Sequence, residues 1–337
     1  MSQQATIDSS SSPANMYFPV QTKISCLFEI EFLEKEKKVL AVNRLYKKVV
    51  NLPTNSDDIR VNPTIKIDGT CCLVRQEKLF KRYDRKLNAS GSKKNKQFQK
   101  EISQGTADTN ILQFDISKDF KEGPKGWIPC DSIAHLFTEE NNSNVVSSQH
   151  LVGWIPVDSN DAADKWHSSA IVSINNEPHA IMLIPYFDQN DEQAKFSVEF
   201  RKLSSLENQT LELIGSKING NVYNFPANEK QHFLVPHGWA SYSWKASNAF
   251  LENVKELTVE KLKSWFEDES NIMSKSEGIV FHIMYKTEEG KDKEMLIKIH
   301  RHHLNLDWPL KGSAIPQFQY QLQWIEEVLR LKSENKL

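Results

Sequence analysis

Apolar residues along this chain come in short runs, each bounded by Gly, Asn, Asp or Lys, and that rhythm predicts a protein built mainly of β-strands. The runs at 26–32, 65–67, 71–74, 79–83, 198–203, 210–214, 279–285 and 295–299 read as strands. The last two flank a polar stretch, 286–293, that contains Gly290, which predicts a hairpin. Two segments carry helical spacing instead. Thr258 can cap a helix with Val259, Leu262, Trp265 and Phe266 on one face. After Pro316, the residues Phe318, Leu322, Ile325 and Leu329 make an amphipathic stripe, expected to be a closing helix within 311–337. Segment 90–110 is polar, holds Gly91 and Gly105, and reads as a mobile loop. Gly-Trp-Ile-Pro occurs at 126–129 and again at 153–156, which suggests two packed strand ends rather than a repeat architecture.

The chain's 337 residues can bury a sizeable core without disulfides or a structural metal. A formal net charge of −2 means that any polyanion site must come from local clustering. Cys26, Cys71, Cys72 and Cys130 include no CxxC pair, so neither a disulfide framework nor zinc-finger spacing is present. With no signal-like apolar region in the Ser- and Gln-rich tail over 1–16, an intracellular protein is expected, cytoplasmic or nuclear, with that tail disordered. No apolar run approaches the ~20 residues of a membrane helix, so no membrane partner is expected, and a monomer is.

Lys66-Ile67-Asp68-Gly69-Thr70 is the centre of the chemistry. Strand alternation puts Ile65 and Ile67 on one face and Lys66 with Asp68 on the other. Gly69 permits close backbone approach. A lysine attacks phosphorus only when neutral, and from a reference pKa of about 10.4 it needs nearby cations to become so. Glu212, Glu277 and Lys298 likewise stand on the polar sides of apolar runs or at their ends. Phosphoryl chemistry needs these types: cations for phosphate oxygens, carboxylates for Mg²⁺ or ribose.

In this order the four positions resemble motifs I, III, IV and V of the covalent nucleotidyltransferases, polynucleotide ligases and mRNA-capping guanylyltransferases among them. The longer strings resemble the vertebrate-type 5′-3′ RNA ligase family: KIDGTCC (66–72), KRYDRK (81–86), the two GWIP, WHSS (166–169), TLELIG with INGN (210–221), PHG (236–238), SWFED (264–268), EGIVFH (277–282), LIKIHRHHL (296–304) and DWP (307–309). The resemblance covers about residues 60–310 and implies an α+β, ATP-grasp-like nucleotidyltransferase fold over 17–310. Two antiparallel sheets with flanking helices would hold ATP between them. It implies an enzyme that seals RNA 5′-phosphate and 3′-hydroxyl ends in RNA repair, using ATP and Mg²⁺, with Mn²⁺ able to substitute.

The implied roles fall on single residues. Lys66 would carry AMP. Glu212 would bind ribose or assist the metal, Glu277 would help hold the metal, and Lys298 would touch the α-phosphate. Arg82, with Arg85 as the alternative, would contact phosphate, and Asp68 and Gly69 complete the nucleotide motif. Two positions depart from the pattern: Val222 stands where proline is expected, and His300 where a second lysine is common. A capping enzyme or DNA ligase would carry a following OB domain, and the 39 residues after Lys298 are too few for one. A silent RNA-binding module is the other alternative, and the intact set of Lys66, Glu212, Glu277 and Lys298 argues against it.

Ten Lys and Arg between 75 and 100 face only Glu77 and Asp84, which predicts an RNA-backbone patch that includes Lys93, Lys94 and Lys96. A solvated basic loop is the alternative reading. His300, His302 and His303 invite a metal reading with Cys71 or Cys72, but the spacing is not zinc-like. Trp127, Trp154, Trp166, Trp239 and Trp308 are expected in the core.

Overall fold

The computed structural model describes residues 19–33, 36–104, 112–138, 144–188, 193–226, 230–237 and 249–310. The tail expected over 1–16, the closing helix expected within 311–337, and Trp239 lie outside the described residues. Among the described residues no helix is long and apolar enough to cross a membrane.

Two sheets dominate, and the mix of sheets with short helices is α+β. A four-stranded sheet contains, in spatial order, Ser25–Cys26, Asp292–His300, Gly278–Lys286 and Ile59–Lys66. The polar stretch with Gly290 makes the expected hairpin. Thr287 N–H donates to Lys291 O at 2.8 Å, and Gly290 takes φ +75°. A nine-stranded sheet runs from Ile171–Ile174 through Glu177–Asp188, His232–Pro236, Thr210–Gly215, Thr70–Arg75, Lys78–Arg82 and Gly153–Pro156 to Ile128–Pro129, with Gln193–Lys202 also paired to Glu177–Asp188. The expectation of purely antiparallel sheets needs one amendment in each. Ser25–Cys26 runs parallel to Asp292–His300, and Glu177–Asp188 parallel to His232–Pro236. Both parallel pairs join strands distant in sequence, where no tight turn dictates an antiparallel return.

The single strand expected over 26–32 is two strands. Leu27, fully buried, donates its N–H to Lys298 O at 2.7 Å. Phe28–Leu33 then leaves the sheet to pair with Lys38–Leu45. The two GWIP strings lie side by side as expected, Gly153 opposite Pro129 and Trp154 opposite Ile128.

Each sheet has its own apolar contacts. Ile279, Phe281, Ile283, Ile297 and Ile299 from the four-stranded sheet pack on Leu262, Trp265 and Phe266 of the helix Val259–Glu267. Burying three such side chains contributes about 2 kcal/mol each. Thr258 Oγ1 accepts the Lys261 N–H at 3.2 Å, the cap that the sequence predicts, for about 1 kcal/mol. Cys72, Val74, Leu211 and Leu213 anchor one cluster of the larger sheet, and Ile214, Phe233 and Val235 another.

The loop expected over 90–110 is, as far as it is described, a helix, Ala89–Ser103. Asn88 caps it, its side-chain oxygen accepting the Gly91 N–H at 3.0 Å. The small residues Ser90, Gly91 and Ser92 suggest a loop, but Asn88 starts the helix and Gly91 is buried in its first turn.

Candidate active site

Lys66 is the last residue of its strand and lies opposite Gly278. The chain then crosses through Ile67, Asp68 and Gly69 and enters the nine-stranded sheet at Thr70. Ile65 and Ile67 do not share a core: Ile65 packs with the four-stranded sheet's cluster and Ile67 with the larger sheet's. Strand alternation stops at Lys66, so Asp68 is a turn residue.

Three partners fix that turn. Asp68 N–H donates to Tyr223 Oη at 2.5 Å. Asn219 Nδ2 donates to Asp68 Oδ1 at 2.7 Å and to Gly69 O at 2.8 Å. Trp308 Nε1 donates to Asp68 Oδ2 at 2.7 Å. Trp308 is thus more than the core residue expected. A Cβ on Gly69 would meet Leu213 O at 2.3 Å, so only glycine lets the turn lie against the neighbouring strand. Asp68 and Gly69, expected at the nucleotide, build the turn that follows Lys66, and the cavity lining includes Lys66 and Ile67 ahead of that turn and Cys71 after it.

A cavity of about 310 Å³ opens between the sheets. The four-stranded sheet contributes Lys66, Lys298 and His282; the larger sheet contributes Cys71, Arg82 and Glu212. Lys23 and His237 also line it. Its size sits at the low end of small-molecule sites, roughly 300–1,000 Å³. The cationic wall and the carboxylate suit a phosphorylated ligand.

Lys66 Nζ lies 2.5 Å from Glu277 Oε2, and Glu277 Oε1 lies 2.9 Å from His300 Nδ1. Burial opposes the Lys66 charge, yet Glu277, with Glu212 and Asp68, outweighs it and holds the ammonium above the ordinary lysine range. Among the protein's own groups, the carboxylates thus outweigh the cations at Lys66. Burial opposes the Glu277 charge too, but His300 and Lys66 draw the carboxylate below its ordinary value. Lys298 is pushed down, first by burial and then by Lys66. His300, where a second lysine is common, is also pushed down by burial, against the pull of Glu277 2.9 Å away. Gly278 is required beside Glu277, because a Cβ there would meet Ile299 O at 2.1 Å.

The opposite wall is a hydrogen-bonded array. Glu212 Oε2 lies 2.8 Å from His237 Nε2, and His237 Nδ1 lies 3.0 Å from Thr210 Oγ1. Arg82 points to Asp84, Nε to Oδ1 2.9 Å, and lines the cavity. Arg85 does not: its Nε donates to Lys121 O at 2.7 Å and its guanidinium sits over Trp127. Of the two alternatives, the structure brings only Arg82 to Lys66.

Several of the cations between 75 and 100 are tied down. Arg75 pairs with Asp131, Lys81 with Asp164, and Lys94 with Asp119. Lys93, Lys96 and Lys100 are exposed on the helix Ala89–Ser103. The three imidazoles His300, His302 and His303 cluster with ring centroids 4.2–5.0 Å apart, and Cys26, not Cys71 or Cys72, is the thiol beside them. Burial pushes the Cys71 thiol up to about 12 and Cys72 well above its ordinary value, so neither is a nucleophile at neutral pH.

Reasoning on single strands missed His237, His282, Tyr223 and Lys23. His237 and the turn partner Asn219 lie in the strings PHG and INGN, whose resemblance assigns them no role. Glu212 lines the cavity and Glu277 touches Lys66, and both are hard oxygen donors of the kind Mg²⁺ takes.

The comparisons with known proteins point the same way. The RNA ligase 1 family matches residues 15–327. RNA ligase 1 of Pongo abelii is 34% identical over 307 residues, covering 86% of this chain and 83% of that protein. The Mus musculus protein of the same name is 34% identical over 309 residues, covering 86% and 82%. The Danio rerio protein is 31% identical over 306 residues, covering 88% and 84%. This chain belongs to the RNA ligase 1 family.

Proposed function

We propose that this protein is an ATP-dependent RNA ligase that works through an AMP bonded to Lys66 Nζ. The observation that carries the reading is the convergence of Lys66, Lys298, Arg82 and Glu212 on one cavity, with Glu277 in contact with the lysine. In the first step the neutral Lys66 amine attacks the α-phosphorus, an N–P bond forms as the nitrogen releases a proton to solvent, and pyrophosphate leaves with the electrons of the broken P–O bond. AMP then passes to an RNA 5′-phosphate oxygen, and a 3′-hydroxyl displaces AMP to close the phosphodiester.

Lys298 and Arg82 stabilise the charge that grows on the phosphate oxygens. Glu212 takes the ribose hydroxyls, held in place by His237. Glu277 orients the amine and, by its charge, keeps it protonated until that charge is offset. A Mg²⁺ or Mn²⁺ ion held by Glu277 and Glu212 would supply positive charge to the α-phosphate. Lys93, Lys96 and Lys100, exposed along one helix, are placed to track an RNA backbone, whereas Lys94 is half committed to Asp119.

A nucleotidyltransferase fold sealing RNA 5′-phosphate and 3′-hydroxyl ends is the reading that family membership and cavity together favour over a capping enzyme, a DNA ligase or a binding module. Intact mass after incubation with ATP and Mg²⁺ tests it. A gain of one AMP is expected; a protein that stays at its starting mass would end the lysyl-AMP reading.

A further inference from the structure

Cys71, Glu212 and His237 meet on one wall of the cavity, and one ligand atom from each lies within 4.8 Å of the others. The placement follows from the sheet: Cys71 and Glu212 are register partners on neighbouring strands, and His237 directly follows the strand His232–Pro236. We propose that these three residues form a binding site for a borderline-soft divalent ion, Zn²⁺ by chemistry, that overlaps the nucleotide cavity. Thiolate, imidazole and carboxylate with one open position is a zinc donor set, whereas Mg²⁺ selects oxygen.

The geometry is close to what the ion needs. Tetrahedral bonds of about 2.0–2.3 Å put donors about 3.5 Å apart, so about an ångström of side-chain movement closes the site. His237 is already oriented by the hydroxyl behind it: Nδ1 lies 3.0 Å from Thr210 Oγ1, which directs Nε2 at Glu212. An imidazole held this way through its second nitrogen is how metal ligands are fixed. Nε2 must shed its hydrogen to bind, and Nδ1–H then donates to Thr210 Oγ1. That oxygen also accepts the Val20 N–H at 2.9 Å, and its two lone pairs serve both donors. As the S–M bond forms, the Cys71 thiol releases its proton to solvent. Thiolate and carboxylate together balance the ion's two charges, and Arg82, paired with Asp84 at 2.9 Å, also bears on the Cys71 sulfur, where its charge favours the thiolate.

An ion here occupies Glu212 and fills space in the nucleotide cavity, so Zn²⁺ and nucleotide exclude one another; that consequence rests on the ATP reading. The site would let a transition metal hold the protein in a nucleotide-free state.

Titration of the full chain with Co²⁺ tests the proposal, because cobalt bound to thiolate gives a charge-transfer absorption. One equivalent is expected to raise that band, Zn²⁺ to displace it, and AMP to weaken Co²⁺ binding at least about tenfold. Cys71→Ser should abolish the band, and Cys26→Ser, at the other thiol–imidazole pair, should keep it. Should Cys71→Ser melt early, His237→Gln carries the same test from the second ligand, with at least about tenfold weaker binding expected. No band in the wild type, or a band that survives Cys71→Ser or vanishes in Cys26→Ser, overturns the site, and indifference to AMP in a protein that does gain AMP overturns the overlap with the nucleotide. The cobalt signal needs no catalysis. A protein that binds Co²⁺ through Cys71 but never gains AMP sinks the lysyl-AMP reading alone, and one that gains AMP with no cobalt band sinks only the metal site.

Discussion

The two walls of the cavity are built on different principles. On the four-stranded side, Lys66, Glu277 and Lys298 are ionised groups packed close together, each pushing or pulling the others' proton affinity. On the nine-stranded side, Glu212, His237 and Thr210 form a chain of hydrogen bonds, and Arg82 is already matched by Asp84. The first wall is poised to change its protonation, the second to hold a shape. If that contrast is right, substitutions on the first should strike the chemical step and those on the second should strike affinity.

The largest effect is expected at Lys66. Lys66→Ala and Lys66→Arg should each lower AMP labelling by about a thousandfold or more, because alanine lacks the nucleophile and a guanidinium stays protonated. Radiolabel transfer from ATP measures it, and substantial labelling of either variant removes Lys66 from its role.

Glu277 comes next and gives the contrast a sign. Since Glu277 helps hold Lys66 above the ordinary lysine range, wild-type labelling should climb with pH across the neutral and mildly alkaline range. Glu277→Gln should lose about a hundredfold in rate, yet reach half-maximal labelling at lower pH, because the group that retained the proton is gone. An unshifted or upward-shifted profile would show that Glu277 does not set the lysine's proton affinity.

Arg82→Ala, on the shape-holding wall, should raise the KM for ATP by about tenfold to a hundredfold, as loss of a charge-assisted hydrogen bond does, with a smaller effect on the labelling rate at saturating ATP. Arg85→Ala should leave both nearly unchanged, since its guanidinium lies over Trp127 outside the cavity. Steady-state labelling against ATP concentration separates the two, and equal damage from both would erase the distinction.

Away from both walls, replacing Lys93, Lys96 and Lys100 with alanine should spare AMP labelling. It should flatten the salt dependence of RNA affinity by about one unit of slope per lost phosphate contact. Loss of labelling with normal RNA binding would move the helix to the nucleotide site.

The smallest effect concerns acid stability. Burial holds His282 down to about 4 and His303 down to about 3. Below their unfolded value near 6.5 the unfolded chain binds the extra protons, so this part of the stability is full above about pH 6.5. It declines as pH falls toward those folded values. Melting temperature should therefore drop through that window, and His303→Gln should flatten the drop in thermal melts at stepped pH.

Much of this site is legible in the sequence because its residues sit on strands. Lys66, Glu212 and Lys298 fall at positions where alternation separates polar from apolar faces, and the chain crosses between sheets within three residues of Lys66. What alternation cannot carry is the turn. Alternation groups Asp68 with Lys66, but the strand ends at Lys66, and the partners that hold Asp68, Asn219 and Trp308, are separated from it by 151 and 240 residues. The helix Ala89–Ser103 was missed for another reason. Its first turn holds Ser90, Gly91 and Ser92, poor helix formers by propensity, and Asn88 with the contacts of Gly91 decided the outcome. His237 stood in a string too short to show that Thr210 and Glu212 flank it.

The indole of Trp308 that closes the turn beside Lys66 has a consequence during synthesis. At roughly 5–20 residues per second, a ribosome completes residue 66 on the order of ten seconds or more before residue 308. The nine-stranded sheet can begin to form in that interval, but Glu277 and Trp308 are still unmade. The lysine's turn is finished only when nearly all the described chain has emerged, so a nascent or prematurely ended chain lacks the set that arms it.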